Sequence, residues 1–152
     1  MITPLYNTLM GSYLEHPFTN NNINSIDKDK MPDDYQDWVY ILYNKLNNQC
    51  KIGRSTNLNN RIRSLRSASG IEYNLLLAIN LETGWDYNSE AIEEFLHNHY
   101  KDRRNIGEWF TLSLRDLIAL RTLFYYIDGI GIEDNFTESV KDLTQSVKKT
   151  AQ

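Results

Sequence analysis

A chain of 152 residues with 41% hydrophobic and 24% charged residues has the mix of one ordinary globular domain, long enough to bury about two thirds of its unfolded surface and too short for a multidomain enzyme. Its longest apolar stretches, such as Leu75 to Ile79, fall far short of the roughly 20 residues a membrane-spanning helix needs, and the single cysteine, Cys50, gives no disulfide framework, so a soluble protein of a reducing cytoplasm with no membrane partner is expected. The formal net charge is -4 but unevenly spread: between Gln49 and Ile71 there are five basic residues (Lys51, Arg54, Arg61, Arg63, Arg66) and no acidic one, and Lys101, Arg103 and Arg104 form a second basic cluster.

Thr3-Pro4 reads as an N-cap with proline in the first turn, and Leu5, Leu9 and Tyr13 recur every four residues, predicting a short helix that ends near His16-Pro17. The Asn-rich, polar stretch from Thr19 to Asp37 reads as a linker, so residues 1–37 are expected to form an arm and residues 38–112 a domain. Trp38 to Tyr43 and Gln49 to Arg54, joined by Asn47-Asn48, read as a β-hairpin. Thr56 can cap a helix with Leu58, Ile62 and Leu65 on one face, which Gly70 stops. Glu72 to Leu81 reads as a buried strand and Glu82 to Tyr87 as a loop. A helix over about 88–101 turns Ala91, Ile92, Phe95, Leu96, His99 and Tyr100 inward, with Glu90, Glu93, Glu94 and His97 off that face. After Gly107, Glu108 to Leu112 is a short extended piece, and Ser113 with Asp116 makes a capping box for an apolar helix to about Ile127. Residues 113–152 are expected as this helix and a polar tail, the latter a weak helix from Glu133 with Phe136, Val140, Leu143 and Val147 on one side.

A four-residue turn in the hairpin would set Asn44 against Gln49, Tyr40 against Gly53 and Leu42 against Lys51, leaving the Tyr40 phenol and the Lys51 ammonium diagonal on one face. That proximity should favour the phenolate of Tyr40. Arg61 falls about 70° from the centre of the Leu58/Ile62/Leu65 stripe, a boundary position from which it can reach along the sheet, whereas Arg63 lies farther round. Phosphodiester hydrolysis asks for such parts: a group to orient or deprotonate water, a cation for transition-state charge and a carboxylate for a divalent metal.

With these residues the sequence resembles the GIY-YIG nuclease superfamily. Trp38-Val39-Tyr40 stands where GIY would, Lys51-Ile52-Gly53 where YIG would, and Arg61 follows Gly53 by eight residues. Glu93 with Leu96-His97 and Tyr100, then Gly107-Glu108-Trp109-Phe110, is similar to the phage-type branch, which carries KIG, ExxLHxxF and GEWF motifs. The resemblance covers Trp38 to about Leu112. It implies an α+β fold, sandwich-like, with a small three-stranded antiparallel sheet flanked by helices, an N-terminal helical arm and a C-terminal helical extension. It implies that Tyr40 orients or deprotonates the attacking water, that Arg61 stabilises the scissile phosphate, and that Glu93 holds one divalent ion, Mg²⁺ or Mn²⁺. Lys51 replaces the second signature tyrosine, Arg54 matches a position where repair-type relatives carry lysine, and Leu65 stands where homing relatives have histidine. Lys51 and Arg54 would add positive charge at the site.

Each residue also has a plainer reading. Tyr40 can be an ordinary strand aromatic; Arg63 and Arg66, candidates for binding nucleic acid beside Arg54 and Arg61, read as a solvated helix face. His97 can be a second ligand, a proton shuttle or a surface group. Cys50 reads as a small buried apolar residue, and Trp109 and Phe110 as core. The leading expectation is a metal-dependent endonuclease acting on DNA and encoded by a phage or mobile element. The alternative is a catalytically silent module of the same fold that binds nucleic acid or inhibits a protein. Recognition of a target is either loose or supplied by the N-terminal arm, a partner or a homodimer.

Overall fold

The computed structural model describes residues 4–15, 36–81, 88–128 and 131–137. In chain order the elements are α1 (Pro4–Glu15), β1 (Trp38–Asn44), β2 (Gln49–Ser55), α2 (Leu58–Ser69), β3 (Asn74–Asn80), α3 (Ser89–His99), a 3₁₀ turn (Lys101–Arg103), β4 (Trp109–Phe110), α4 (Leu114–Asp128) and β5 (Ile132–Asp134). The class is α+β, as expected. The sheet, however, has five antiparallel strands in the order β4-β2-β1-β3-β5, where three were expected.

The hairpin has the expected register, with Asn44 opposite Gln49, Tyr40 opposite Gly53 and Leu42 opposite Lys51. Three asparagines shape its turn. Asn44 Oδ1 accepts from the Leu46 amide at 3.0 Å, Asn47 Oδ1 from the Gln49 amide at 3.1 Å, and Asn48 adopts a φ of 58°, a left-handed value that asparagine tolerates. At α2 the cap is Asn57 rather than Thr56: Asn57 Oδ1 accepts from the Asn60 amide at 3.2 Å. Gly70 ends the helix in the left-handed region at a φ of 69°. The Ser113–Asp116 box forms as expected, with reciprocal bonds of 3.2 and 2.8 Å.

The two added strands are too short to show a period-two pattern. Trp109 and Phe110 of β4 pair with Lys51 and Cys50 of β2, extending the sheet beyond the hairpin. In β5, Ile132, Glu133 and Asp134 pair with Ile79, Ala78 and Leu77 of β3, so the helix expected from Glu133 begins only at Phe136, and the rest of that expectation lies outside the described residues. Asp134 pins this strand through tertiary partners: its carboxylate accepts from Arg121 Nε and the Tyr125 hydroxyl, both at 2.8 Å, and from the Phe136 amide at 3.0 Å. Phe136 is buried; Val140, Leu143 and Val147 lie outside the described residues, as does most of the Thr19 to Asp37 linker.

The sheet is covered on both faces. On one, Val39, Ile41, Cys50, Ile52, Leu77 and Ile79 pack with Ile92 and Leu96 of α3 and Leu120, Leu123 and Phe124 of α4. Leu5 and Leu9 of α1 are buried in the same cluster, so the N-terminal helix, expected as an arm, packs onto the body. On the other face Tyr40, Leu42 and Ala78 pack under Leu58 and Ile62 of α2, with Trp109 and Trp38 at the margins. Among the described residues no helix is long and apolar enough to cross a membrane.

Candidate functional site

The α2 face of the sheet carries the polar constellation. Tyr40 lies across Gly53, its cross-strand partner, so closely that a Cβ on Gly53 would stand 2.5 Å from both Cζ and Oη of the phenol. Glycine is therefore required there by the ring above it rather than by backbone conformation. Tyr40 is fully buried, and its hydroxyl lies beneath Arg61 of α2, whose Nε donates to it at 3.4 Å, while Arg61 itself remains exposed. Burial pushes the Tyr40 pKa up and outweighs the lowering influence of Arg61. The expectation that Lys51 would favour the phenolate is thus corrected: Tyr40 stays a phenol at neutral pH, able to donate a hydrogen bond. Gly53→Ala should cost about 1–3 kcal/mol by overpacking and carry the Tyr40 hydroxyl away from Arg61. A denaturation midpoint equal to the wild type would show that the ring steps aside freely.

Lys51 is buried, with its Nζ 2.8 Å from Glu108 Oε2 and 5.7 Å from the centre of the Trp109 ring. The sequence neighbourhood of Lys51 holds no acid; the partner arrives from 57 positions away because β4 pairs with β2 and the Ile52 amide donates to the Glu108 carbonyl. Arg54, exposed at the end of β2, places Nε 3.9 Å from Glu93 Oε1, a long and weak pairing. Glu93 itself is half-buried on α3, whereas Glu94 points to solvent, as the helical wheel implies. Burial raises the Glu93 pKa, and the Glu108 carboxylate raises it further, against smaller opposing effects from His97, Arg54 and Lys51.

Arg54, Arg61, Glu93 and Glu108 meet in a groove of about 280 Å³ lined also by Asp37, Ser55, Thr56 and Ser89, whereas Tyr40 and Lys51 are buried and do not line it. A second hollow of about 410 Å³ shares Arg54 and Glu93 with it and is lined also by Glu90, Glu94, His97, Asn98 and Arg104. His97 is engaged there: its Nε2 lies 2.8 Å from the Ile52 carbonyl oxygen, which can only accept, so Nε2 carries the proton and the imidazole fastens α3 to β2. That leaves Nδ1 as its one ligating nitrogen. Arg63 is exposed and away from the groove; Arg66 is exposed as expected and also donates from Nη2 to the Tyr73 carbonyl at 2.8 Å, closing the chain leading into β3. As expected, Cys50 and Phe110 are core, and burial pushes the Cys50 thiol up to about 12.

Two groove residues escaped the sequence reading. In the sequence Glu108 is part of a motif without a role of its own, and only the β4–β2 pairing brings it to Lys51. Asp37, in sequence the last residue of the polar linker, is buried: its carboxylate accepts from the Ser89 amide at 2.9 Å, and its own amide donates to Asn80 Oδ1 at 3.1 Å. It ties the start of β1 to the start of α3, and with it the helix that carries Glu93. Among the described residues no three His, Cys, Asp or Glu side chains converge as a metal cage.

The family model of the T5orf172 domain matches residues 37–124, more than half of the chain and the whole span from Asp37 through most of α4. No curated protein and no solved structure matches the chain.

Proposed function

The chain belongs to the T5orf172 domain family, and on that premise we propose that it is a metal-dependent endonuclease of GIY-YIG type that hydrolyses phosphodiester bonds in DNA. The T5orf172 domain is phage-associated and is related in some classifications to GIY-YIG and HNH-like nucleases. One observation carries the reading furthest. The buried Tyr40 hydroxyl, on β1, sits 3.4 Å from Arg61, on α2, and Arg61 lines a groove that the half-buried Glu93 of α3 also lines. Packing alone asks for none of these polar groups at that spot.

In this reading Tyr40, protonated and held by the sheet, orients the attacking water by hydrogen bonding. Arg61 presents its exposed guanidinium to the phosphoryl oxygens as charge develops on them. Arg54 adds positive charge at the mouth. The donor set suits Mg²⁺ or Mn²⁺, which take one or two carboxylates and complete their coordination with water and phosphate oxygens, and Glu93 would hold the ion. Glu93 and Glu108 both face the groove, and the Glu108 charge disfavours the ionised form of Glu93, a penalty that a divalent cation would relieve. When bound, the ion supplies Lewis-acid stabilisation of the phosphoryl group.

Nicking of supercoiled plasmid with Mg²⁺ or Mn²⁺, and its loss with chelator, is the expected result. Binding to duplex DNA in chelator should weaken steeply with salt, at a log-log slope of about -0.9 per phosphate with about three phosphates contacted, because Arg66 is committed to Tyr73. Salt-dependent binding without nicking under any metal would identify a silent DNA-binding module, and absence of both would leave the protein-inhibiting alternative.

A further inference from the structure

We propose that Glu108 stands in for a DNA phosphate on Lys51 and is displaced from it when the DNA backbone enters the groove, so that the ion pair works as a charge exchange rather than a permanent bridge. The proposal rests on the endonuclease reading and names how the substrate's backbone is received at that site.

The Lys51 side chain is 9% exposed and does not line the groove, whereas Glu108 is 36% exposed and does. The carboxylate therefore lies between the ammonium and the space that DNA would fill. The Glu108 backbone is fixed by the Ile52 amide, but among the described residues its carboxylate receives no donor except Lys51, so the side chain can turn without disturbing the sheet. An ammonium this deeply placed is costly to leave unpaired, and the counter-charge keeps it paired while no substrate is present. A phosphodiester carries one negative charge, as the carboxylate does, so replacing one by the other keeps Lys51 paired throughout. The position is also electrostatically linked to the rest of the site, since the charges of Glu108 and Lys51 both act on Glu93.

An exchange of one anion for another has a signature that a structural bridge lacks. In the wild type, Lys51 contributes little net charge to DNA binding; once Glu108 is neutralised, Lys51 is uncovered. Affinity for a short duplex is measured in chelator over a range of salt for wild type, Glu108→Gln, Lys51→Met and the double variant. Glu108→Gln should tighten binding on the order of tenfold at low salt and steepen the log-log slope by about 0.9, one further phosphate. In the Lys51→Met background the same substitution should leave the slope unchanged and tighten binding far less, since it then removes only the repulsion of a groove-lining carboxylate. Glu108→Asp, which keeps the charge but shortens the reach to Lys51, should shift affinity in the same direction. An unchanged slope for Glu108→Gln, equal tightening with and without Lys51, or a shift confined to Glu108→Gln and absent in Glu108→Asp would each overturn the exchange. Wild-type protein that binds no duplex at low salt would instead take down the endonuclease reading, and the exchange with it.

Discussion

Glu93→Gln should abolish plasmid nicking and raise the melting temperature at neutral pH. The loss follows from removing the carboxylate that would hold the divalent ion in the groove that Arg61 lines. The gain in stability follows from the raised pKa of Glu93, caused first by burial and then by Glu108. A carboxyl whose pKa is higher in the folded state than in the unfolded chain binds its proton more tightly when folded. Its contribution is therefore fully present below the unfolded value and is lost as pH rises through the folded one. At neutral pH the ionised Glu93 destabilises the fold relative to a neutral side chain of the same shape, and glutamine removes that penalty. Near pH 4 and below, where carboxyls are largely protonated, the two melting temperatures should converge. The exposed Glu94 provides the control: Glu94→Gln should leave nicking intact and melting little changed. Equal loss of nicking in both variants would sink the assignment, and a lower melting temperature for Glu93→Gln at neutral pH would mean that its ion pairing outweighs its burial.

Arg61→Ala should lower the turnover rate about 10²- to 10³-fold, the loss typical of removing one fixed donor aimed at transition-state charge. Its guanidinium is exposed and its bond to Tyr40 is long, so stability should fall by no more than about 1 kcal/mol. Arg61→Lys should recover little, because an ammonium cannot span two phosphate oxygens in a planar fork. Single-turnover nicking rates at saturating enzyme separate this from weakened binding. A wild-type rate for Arg61→Ala would remove arginine from the mechanism.

The position of Lys51 shows how far reasoning along the chain reaches. The hairpin register was readable because an Asn-rich turn of four residues leaves one pairing between two strong strand segments, and that register alone put Tyr40 on Gly53 and Lys51 beside Leu42. Arg61 was legible through helical periodicity, since a residue at the margin of an apolar stripe points along the surface on which the stripe packs. Glu93 was separated from Glu94 by the same wheel. What surrounds these groups was not legible. Lys51 appeared free because no acid stands near it in sequence, yet a two-residue strand delivers Glu108 to 2.8 Å.

The amino-acid sequence by itself determined the elements whose signals are local and strong: the hairpin, the helices to within a residue of their caps, the apolar face each buries apart from His99, which is exposed, and the order in which tyrosine, arginine and glutamate recur. Those features depend on turn chemistry and on periods of two and 3.6, which operate over a few residues. Only the tertiary structure decided the width of the sheet, the packing of α1 on the body, and the partners of the charged groups. Strands of two and three residues have no period to read, and Asp134 is held in β5 by Arg121 and Tyr125, not by its own neighbours. The protonation of Tyr40 belongs to the same class, since whether a phenol in a basic stripe gains or loses its proton depends on how much water α2 excludes from it, and burial outweighs the nearby arginine.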